Sequence, residues 1–252
     1  MAIGSFFVDP SAWGIGLALV FGAIWLAALK PGYLKSPAPW LVFLAGAALL
    51  APSIAWIQAP LQTWVGNRLI QWLGLTTYRN RIWFTAIPVV LLSGLVQEGA
   101  KLAPVVTYWL TKHRTIDARL GLTIGALAGA GFGIVEAQWA LNSIFAAGWS
   151  WQMAQVYGFL GIAGFWERFF SIAFHTSSTA LAGWGLSKGH GWQFYLLCSF
   201  LHFLTNYTVI FLQKGLINTV QIEIIIAVFA SILFAVVLWL RWRKAPASNH
   251  II

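Results

Sequence analysis

The chain has little charge and almost no cysteine. Charged residues make up 8% of its 252 residues, only six are Asp or Glu, and Cys198 is the single cysteine. One cysteine excludes an internal disulfide and a cysteine-based metal cluster, so we expect Cys198 to pack within its helix. With 60% hydrophobic residues and a mean hydropathy of +0.77, the composition also excludes an ordinary soluble domain. It predicts an all-α, polytopic transmembrane helical bundle.

The apolar stretches predict about seven membrane spans. Each is long enough to cross roughly 30 Å of hydrocarbon. Segment 60–78 carries Arg68 in a half-apolar pattern, which predicts an interfacial or re-entrant helix, with an eighth span as the alternative. We therefore expect residues 1–252 to form a single integral membrane domain. The spans lie near 12–29, 39–58, 82–111, 120–146, 165–187, 191–213 and 217–240.

The basic residues predict the orientation. Seven spans with the amino terminus outside and the carboxyl terminus inside put nine basic residues inside and four outside, as the positive-inside rule favours. We expect the cytoplasmic membrane of a prokaryote. A basic rim on an anionic leaflet accounts for the net charge of +9, so no nucleic-acid partner is expected. The nine are Lys30, Lys35, Lys112, Arg114, Arg119, Lys188, Arg241, Arg243 and Lys244.

Several polar residues lie inside these apolar spans, where they are costly and commonly functional. Counted from the inner end of each helix at ~1.5 Å per residue, five of them lie at roughly 15–24 Å depth. A common depth on four helices predicts a shared, water-filled cavity. Glu167 lies nearer the outer end and is the least expected to join it, although Arg168 falls roughly on the His175 face. The five are Glu98, Lys101, Glu136, His175 and His202, with Asn206 one turn after His202.

Each of these residues also has a structural interpretation. Glu98 and Lys101 could form a structural ion pair whose charges cancel inside the bundle. Either histidine could simply make a hydrogen bond between two helices. Glu167 and Arg168 could be an interfacial charge pair. None of these interpretations explains the common depth.

Glycines recur every four residues in the fourth span. Gly125, Gly129 and Gly133 form a small-xxx-small stripe, which predicts close packing against a neighbouring helix. That packing would turn Glu136 into the bundle and away from lipid.

The polar set is suited to hydrolysis. A carboxylate in a low-dielectric site is a credible general base for water, and a neighbouring histidine can share its proton. A second histidine with an asparagine amide offers donors to an oxyanion. We expect no cofactor. Zinc at Glu98, Glu136, His175 and His202 is the minor alternative, because the donors suit zinc but no HExxH motif occurs.

Four motifs in order resemble the PrsW-type glutamic intramembrane proteases, which are relatives of the CAAX-prenyl proteases; YhfC-type members of the same superfamily are similar. The resemblance covers about residues 82–213, which it implies to be a four-helix catalytic core. The motifs are QEGAK at 97–101, FGIVE at 132–136, ERFFSIAFH ending at His175, and HFLTN at 202–206.

The resemblance implies a role for each residue. Glu98 and Glu136 with His175 would activate water, and His202 with Asn206 would stabilise the oxyanion. Lys101 would tune the acidity of Glu98, with Glu167 and Arg168 in support. The family's first motif has two adjacent glutamates, whereas this chain has Gln97 before Glu98.

The predicted function is an intramembrane endopeptidase that acts on a membrane-anchored protein or peptide. If the substrate is similar to those of PrsW, it is a single-span regulator such as an anti-sigma factor. A catalytically silent scaffold for transmembrane partners is the main alternative, and Gln97 is its support. A proton-coupled transporter using Glu98, Lys101 and Glu136, or haem held by His175 and His202, are further alternatives.

Overall fold

The computed structural model describes residues 9–30 and 36–243, and the regular elements within these ranges are helices, without a strand. A helical membrane bundle is therefore confirmed. The helices are α1 (Ala12–Leu29), α2 (Pro37–Pro52), α3 (Ala59–Leu73), α4 (Leu75–Asn80), α5 (Ile82–Thr111), α6 (Ala118–Ala146), α7 (Trp151–Tyr157), α8 (Ala163–Ser187), α9 (Gly191–Gln213) and α10 (Thr219–Trp242).

Six helical stretches in the described ranges are long and apolar enough to cross a membrane. They are α1, the continuous helix Pro37–Leu73, α5, α6, α9 and α10. The predicted span 165–187 is not among them. It forms α8, which has 25 residues and is roughly 37 Å long at ~1.5 Å per residue. Polar residues lower its hydropathy, and almost all of 172–185 is buried. A polar helix at this place is stable because neighbouring helices shield it from lipid.

The second helix is longer than expected. Segment 60–78 is not a separate interfacial or re-entrant helix, because the chain stays helical from Pro37 to Leu73. The π-helical turn Ser53–Gln58 joins α2 to α3. It begins directly after Pro52, whose missing amide hydrogen removes one backbone donor. Gly74, at φ 78°, then ends α3.

The glycine stripe of α6 packs against α8, as the sequence predicts. A Cβ atom added at Gly125 or Gly129 would collide with the carbonyl oxygen of Thr179 or His175, respectively. At Gly133 it would lie 3.2 Å from the His175 Cβ. Backbones this close place residue 136, one turn after the stripe, next to the histidine on α8.

Candidate active site

The first pair in the site joins α6 to α8. His175 Nε2 lies 2.5 Å from Glu136 Oε2. The His175 side chain is buried, whereas 17% of the Glu136 side chain is exposed. The carboxylate is therefore the accessible member of this pair.

The second pair joins α5 to α9, and both of its side chains are buried. His202 Nδ1 lies 2.8 Å from Glu98 Oε1. Glu98 is 2% exposed, and its Oε2 has no hydrogen-bond partner among the described residues. Of this pair, the histidine borders the cavity described below and the carboxylate does not.

Lys101 connects the two pairs. Its Nζ donates to Glu98 Oε1 at 2.5 Å and to Ser178 Oγ at 3.1 Å, and it lies 2.9 Å from His175 Nδ1. The lysine is fully buried. Sequence reasoning missed Ser178, whose signal is its place one turn after His175 on the same helix. The expected Glu98–Lys101 ion pair is present and belongs to a larger network.

The partners determine which ring nitrogen carries the proton in each histidine. A lysine ammonium has only donors, so His175 Nδ1 must accept, and the proton of the neutral ring lies on Nε2 facing Glu136. An ionised carboxylate has only acceptors, so His202 Nδ1 must donate to Glu98. In the neutral form of His202, Nε2 is then a proton acceptor. The two histidines therefore have opposite tautomers.

A cavity of about 260 Å³ lies beside these pairs. Glu136, His175 and His202 line it, whereas Glu98 and Lys101 do not. It lies toward the end of the bundle where α6 and α9 end and where α8 and α10 begin. The other lining residues are Glu167, Arg168, Ser171, Phe174, Thr205, Asn206, Thr208, Val209, Leu212, Ile222 and Ile226.

Three further predicted residues line the same cavity. Asn206 Nδ2 donates to Ser93 Oγ at 2.9 Å. Glu167 and Arg168 form an ion pair with each other and contribute to the wall. Glu167 therefore lines the cavity, although it was the residue least expected to join it. The start of α8 forms part of the cavity wall, and a count of depth along each helix does not show this.

Sequence reasoning missed Glu223 on α10. This glutamate is 5% exposed, and its Oε2 has no partner among the described residues. Trp166 Nε1 donates to its carbonyl oxygen at 3.3 Å, which fixes the start of α10 against the start of α8. The signal was present, because Glu223 is the fourth glutamate of the chain and lies inside the predicted span 217–240.

A model of the PrsW family, described as intramembrane metalloproteases, matches residues 36–240. The chain belongs to the PrsW family. No curated protein and no solved structure matches it. Membership confirms the resemblance seen in the motifs and supports an integral membrane protein with intramembrane protease activity.

The description of the PrsW family as metalloproteases requires a test of the donor set. Glu98, His175 and His202 could each offer one ligand atom, all within 4.8 Å of one another, and two histidines with a glutamate suit zinc. The Lys101 ammonium, however, contacts two of those three donors. A dication placed there would lie beside a buried positive charge. In this arrangement the residues do not fit a metal ion.

The departure from the PrsW pattern at Gln97 has a structural explanation. Gln97 is buried and its Nε2 donates to Gln58 Oε1 at 3.0 Å. Gln58 ends the π-helical turn and in turn contacts Gln62. The Gln97 amide therefore ties α5 to the long second helix.

Proposed function

We propose that this PrsW-family protein is a metal-independent intramembrane endopeptidase in which Glu136 and His202 carry the reacting protons. The observation that supports this most is the arrangement of the two pairs at one cavity. Glu136 and His202 line the cavity. Glu136 is hydrogen-bonded to a histidine, His175, and His202 is hydrogen-bonded to a carboxylate, Glu98. Two proton carriers with different environments are the usual basis of acid–base catalysis.

In the first step Glu136 acts as the general base. Water in the cavity attacks the carbonyl carbon of the scissile bond, and Glu136 accepts the water proton as the new C–O bond forms. His175 hydrogen-bonds to the second carboxylate oxygen through Nε2 and orients it. Lys101 holds His175 in that tautomer from the other side.

In the second step His202 acts as the general acid. Glu98 stabilises a protonated His202 through the Nδ1 contact, as the aspartate of a serine-protease triad does for its histidine. The proton that Glu136 took from the attacking water passes through cavity water to the free Nε2 of His202, and His202 delivers it from Nε2 to the leaving amine as the C–N bond breaks. Lys101 offsets the charge of Glu98, and Asn206 completes the wall of the cavity.

The substrate class follows from the position of the cavity. It lies toward one end of the membrane helices, so the cleaved bond belongs to a membrane-anchored protein or peptide near one face of the bilayer. Under the positive-inside rule, the outer face is favoured for this end of the bundle by the basic residues at the opposite end, which are Lys30, Lys112, Arg119, Lys188 and Arg241. A single-span regulator such as an anti-sigma factor fits this geometry.

A metal-dependent protease is the second candidate. It is favoured by the family description and by the common reach of Glu98, His175 and His202. It requires Lys101 to leave its present contacts. Sensitivity to a chelator separates the two candidates.

The experiment compares membranes from cells that express wild type, Glu136→Gln, Glu98→Gln or His202→Ala at matched levels, and maps new protein amino termini by mass spectrometry. Asp117→Asn is the control, because it removes an acid outside the cavity while asparagine preserves the helix cap that Asp117 provides. We expect termini that occur with wild type and Asp117→Asn and are absent with the other three. Identical termini in all five strains would refute protease activity and favour the silent scaffold.

A further inference from the structure

The cavity has few uncommitted hydrogen-bond donors. Ser171, Thr205 and Thr208 each line it, but each hydroxyl donates to a carbonyl oxygen of its own helix. Asn206 has one amide hydrogen on Ser93, which leaves it a single neutral donor for the cavity. Glu136 can only accept when ionised. A tetrahedral intermediate in this cavity nevertheless needs donors aimed at its oxyanion.

Arg168 is the lining residue with the most donors to spare, and its donors are charged. A guanidinium has five N–H groups, and its one ion pair, with Glu167, leaves several of them free. The side chain is 15% exposed, far less than expected of an interfacial charge pair. Arg168 precedes His175 by seven residues on the same face of α8, about 10.5 Å along the axis, a gap that its long side chain can shorten. It also interacts electrostatically with Glu136.

Two carboxylates act on Arg168 at the cavity wall. Glu167 pairs with it directly. Glu223 interacts with it electrostatically from α10 and has an oxygen without a partner among the described residues. The guanidinium therefore lies in the field of two acids, one paired with it on α8 and one on α10.

We propose that Arg168 is a further catalytic residue, which donates to the carbonyl oxygen of the scissile peptide as that oxygen becomes an oxyanion. As water adds to the carbonyl carbon, the electron pair of the C=O π bond moves to oxygen, where the guanidinium stabilises it. When the C=O bond re-forms, that pair returns and the C–N bond breaks with proton delivery from His202. Glu167 and Glu223 are positioning residues for Arg168. This inference rests on the proposed function.

The test measures cleavage kinetics on a synthetic single-span peptide that carries the strongest Glu136-dependent cleavage site found in the terminus mapping. For Arg168→Gln we expect kcat to fall about 100- to 1,000-fold, the usual cost of losing an oxyanion donor, with KM changed less than about threefold. Arg168→Lys keeps the positive charge but loses the planar, two-pronged guanidinium, so its kcat should lie between those of wild type and Arg168→Gln. Arg68→Gln, the same substitution at an exposed position outside the cavity, is the control and should resemble wild type.

Chemical rescue separates catalysis from folding. We expect methylguanidine at millimolar concentration to restore part of the kcat of Arg168→Ala and none of Glu136→Gln. A kcat within about threefold of wild type for Arg168→Gln, or a loss confined to KM, would overturn the assignment while leaving the proposed function intact. Absence of any Glu136-dependent cleavage would overturn both.

Discussion

Replacing Lys101 by methionine should destabilise the protein more than almost any other single lysine change. The ammonium is fully buried with Glu98 and contacts three side chains. Methionine keeps an unbranched chain but leaves the Glu98 charge without its counter-charge. Breaking a buried pair in this way costs about 3–5 kcal/mol.

A double-mutant cycle tests whether Lys101 and Glu98 stabilise each other. Glu98→Gln in the Lys101→Met background removes the stranded charge, so the double variant should be more stable than Lys101→Met alone. We expect a coupling energy of about 2–3 kcal/mol. The free energy of unfolding can be measured by titrating detergent-solubilised protein with SDS, with helicity as the signal. Lys188→Met, at an exposed helix end, is the matched control and should change stability by less than about 0.5 kcal/mol.

Two results would refute this account of the network. The first is a Lys101→Met variant as stable as Lys188→Met, which would mean that the lysine is solvated. The second is strict additivity in the cycle, which would mean that Lys101 and Glu98 do not interact.

Two other substitutions test the packing and the departure from the family pattern. Gly129→Val should lower the free energy of unfolding by about 1–3 kcal/mol through overpacking. It should also reduce cleavage, because the added side chain pushes α6 away from the His175 carbonyl oxygen. Gly16→Ala, whose added methyl group meets open space, is the control and should be neutral or stabilising in the same SDS titration. Gln97→Glu should not raise cleavage of the mapped peptide and should cost about 1–3 kcal/mol, since it removes the amide donor to Gln58; a clear gain in kcat would show that this position faces the reacting groups.

The clustering of the polar residues was predictable because helical rise is constant. Counting along four helices placed Glu98, Lys101, Glu136, His175 and His202 at one depth, and the structure brings all five into one network. The glycine stripe was equally readable, since a four-residue period of small residues is a local property. Both features depend on spacing within single helices.

The pairing between helices was not predictable in this way. The resemblance implies that Glu98 and Glu136 act with His175, but it does not say which carboxylate pairs with which histidine; in the structure Glu98 pairs with His202 and Glu136 with His175. Which carboxylate meets which histidine depends on the rotation of each helix about its axis. Four helices in contact fix those rotations jointly, and no single segment contains that information.

The continuous second helix and Glu223 were missed for different reasons. The break predicted before segment 60–78 does not occur, because Pro60 lies in the first turn of α3, where proline is tolerated, and the π-helical turn Ser53–Gln58 continues the helix from α2. Glu223 lies near the start of its span, where the sequence pattern predicts that an acidic side chain reaches the membrane surface. Its burial comes from contact with α8, which the sequence of α10 does not show.

The central claim is that Glu136 activates water without a metal ion. Its most direct test is cleavage of the mapped single-span peptide by purified protein before and after exhaustive chelation, with Glu136→Gln in parallel. We predict that the wild-type rate is unchanged by chelation, whereas Glu136→Gln is inactive in both conditions. Loss of wild-type activity on chelation, restored by added zinc, would contradict the account and assign Glu98, His175 and His202 to a metal site.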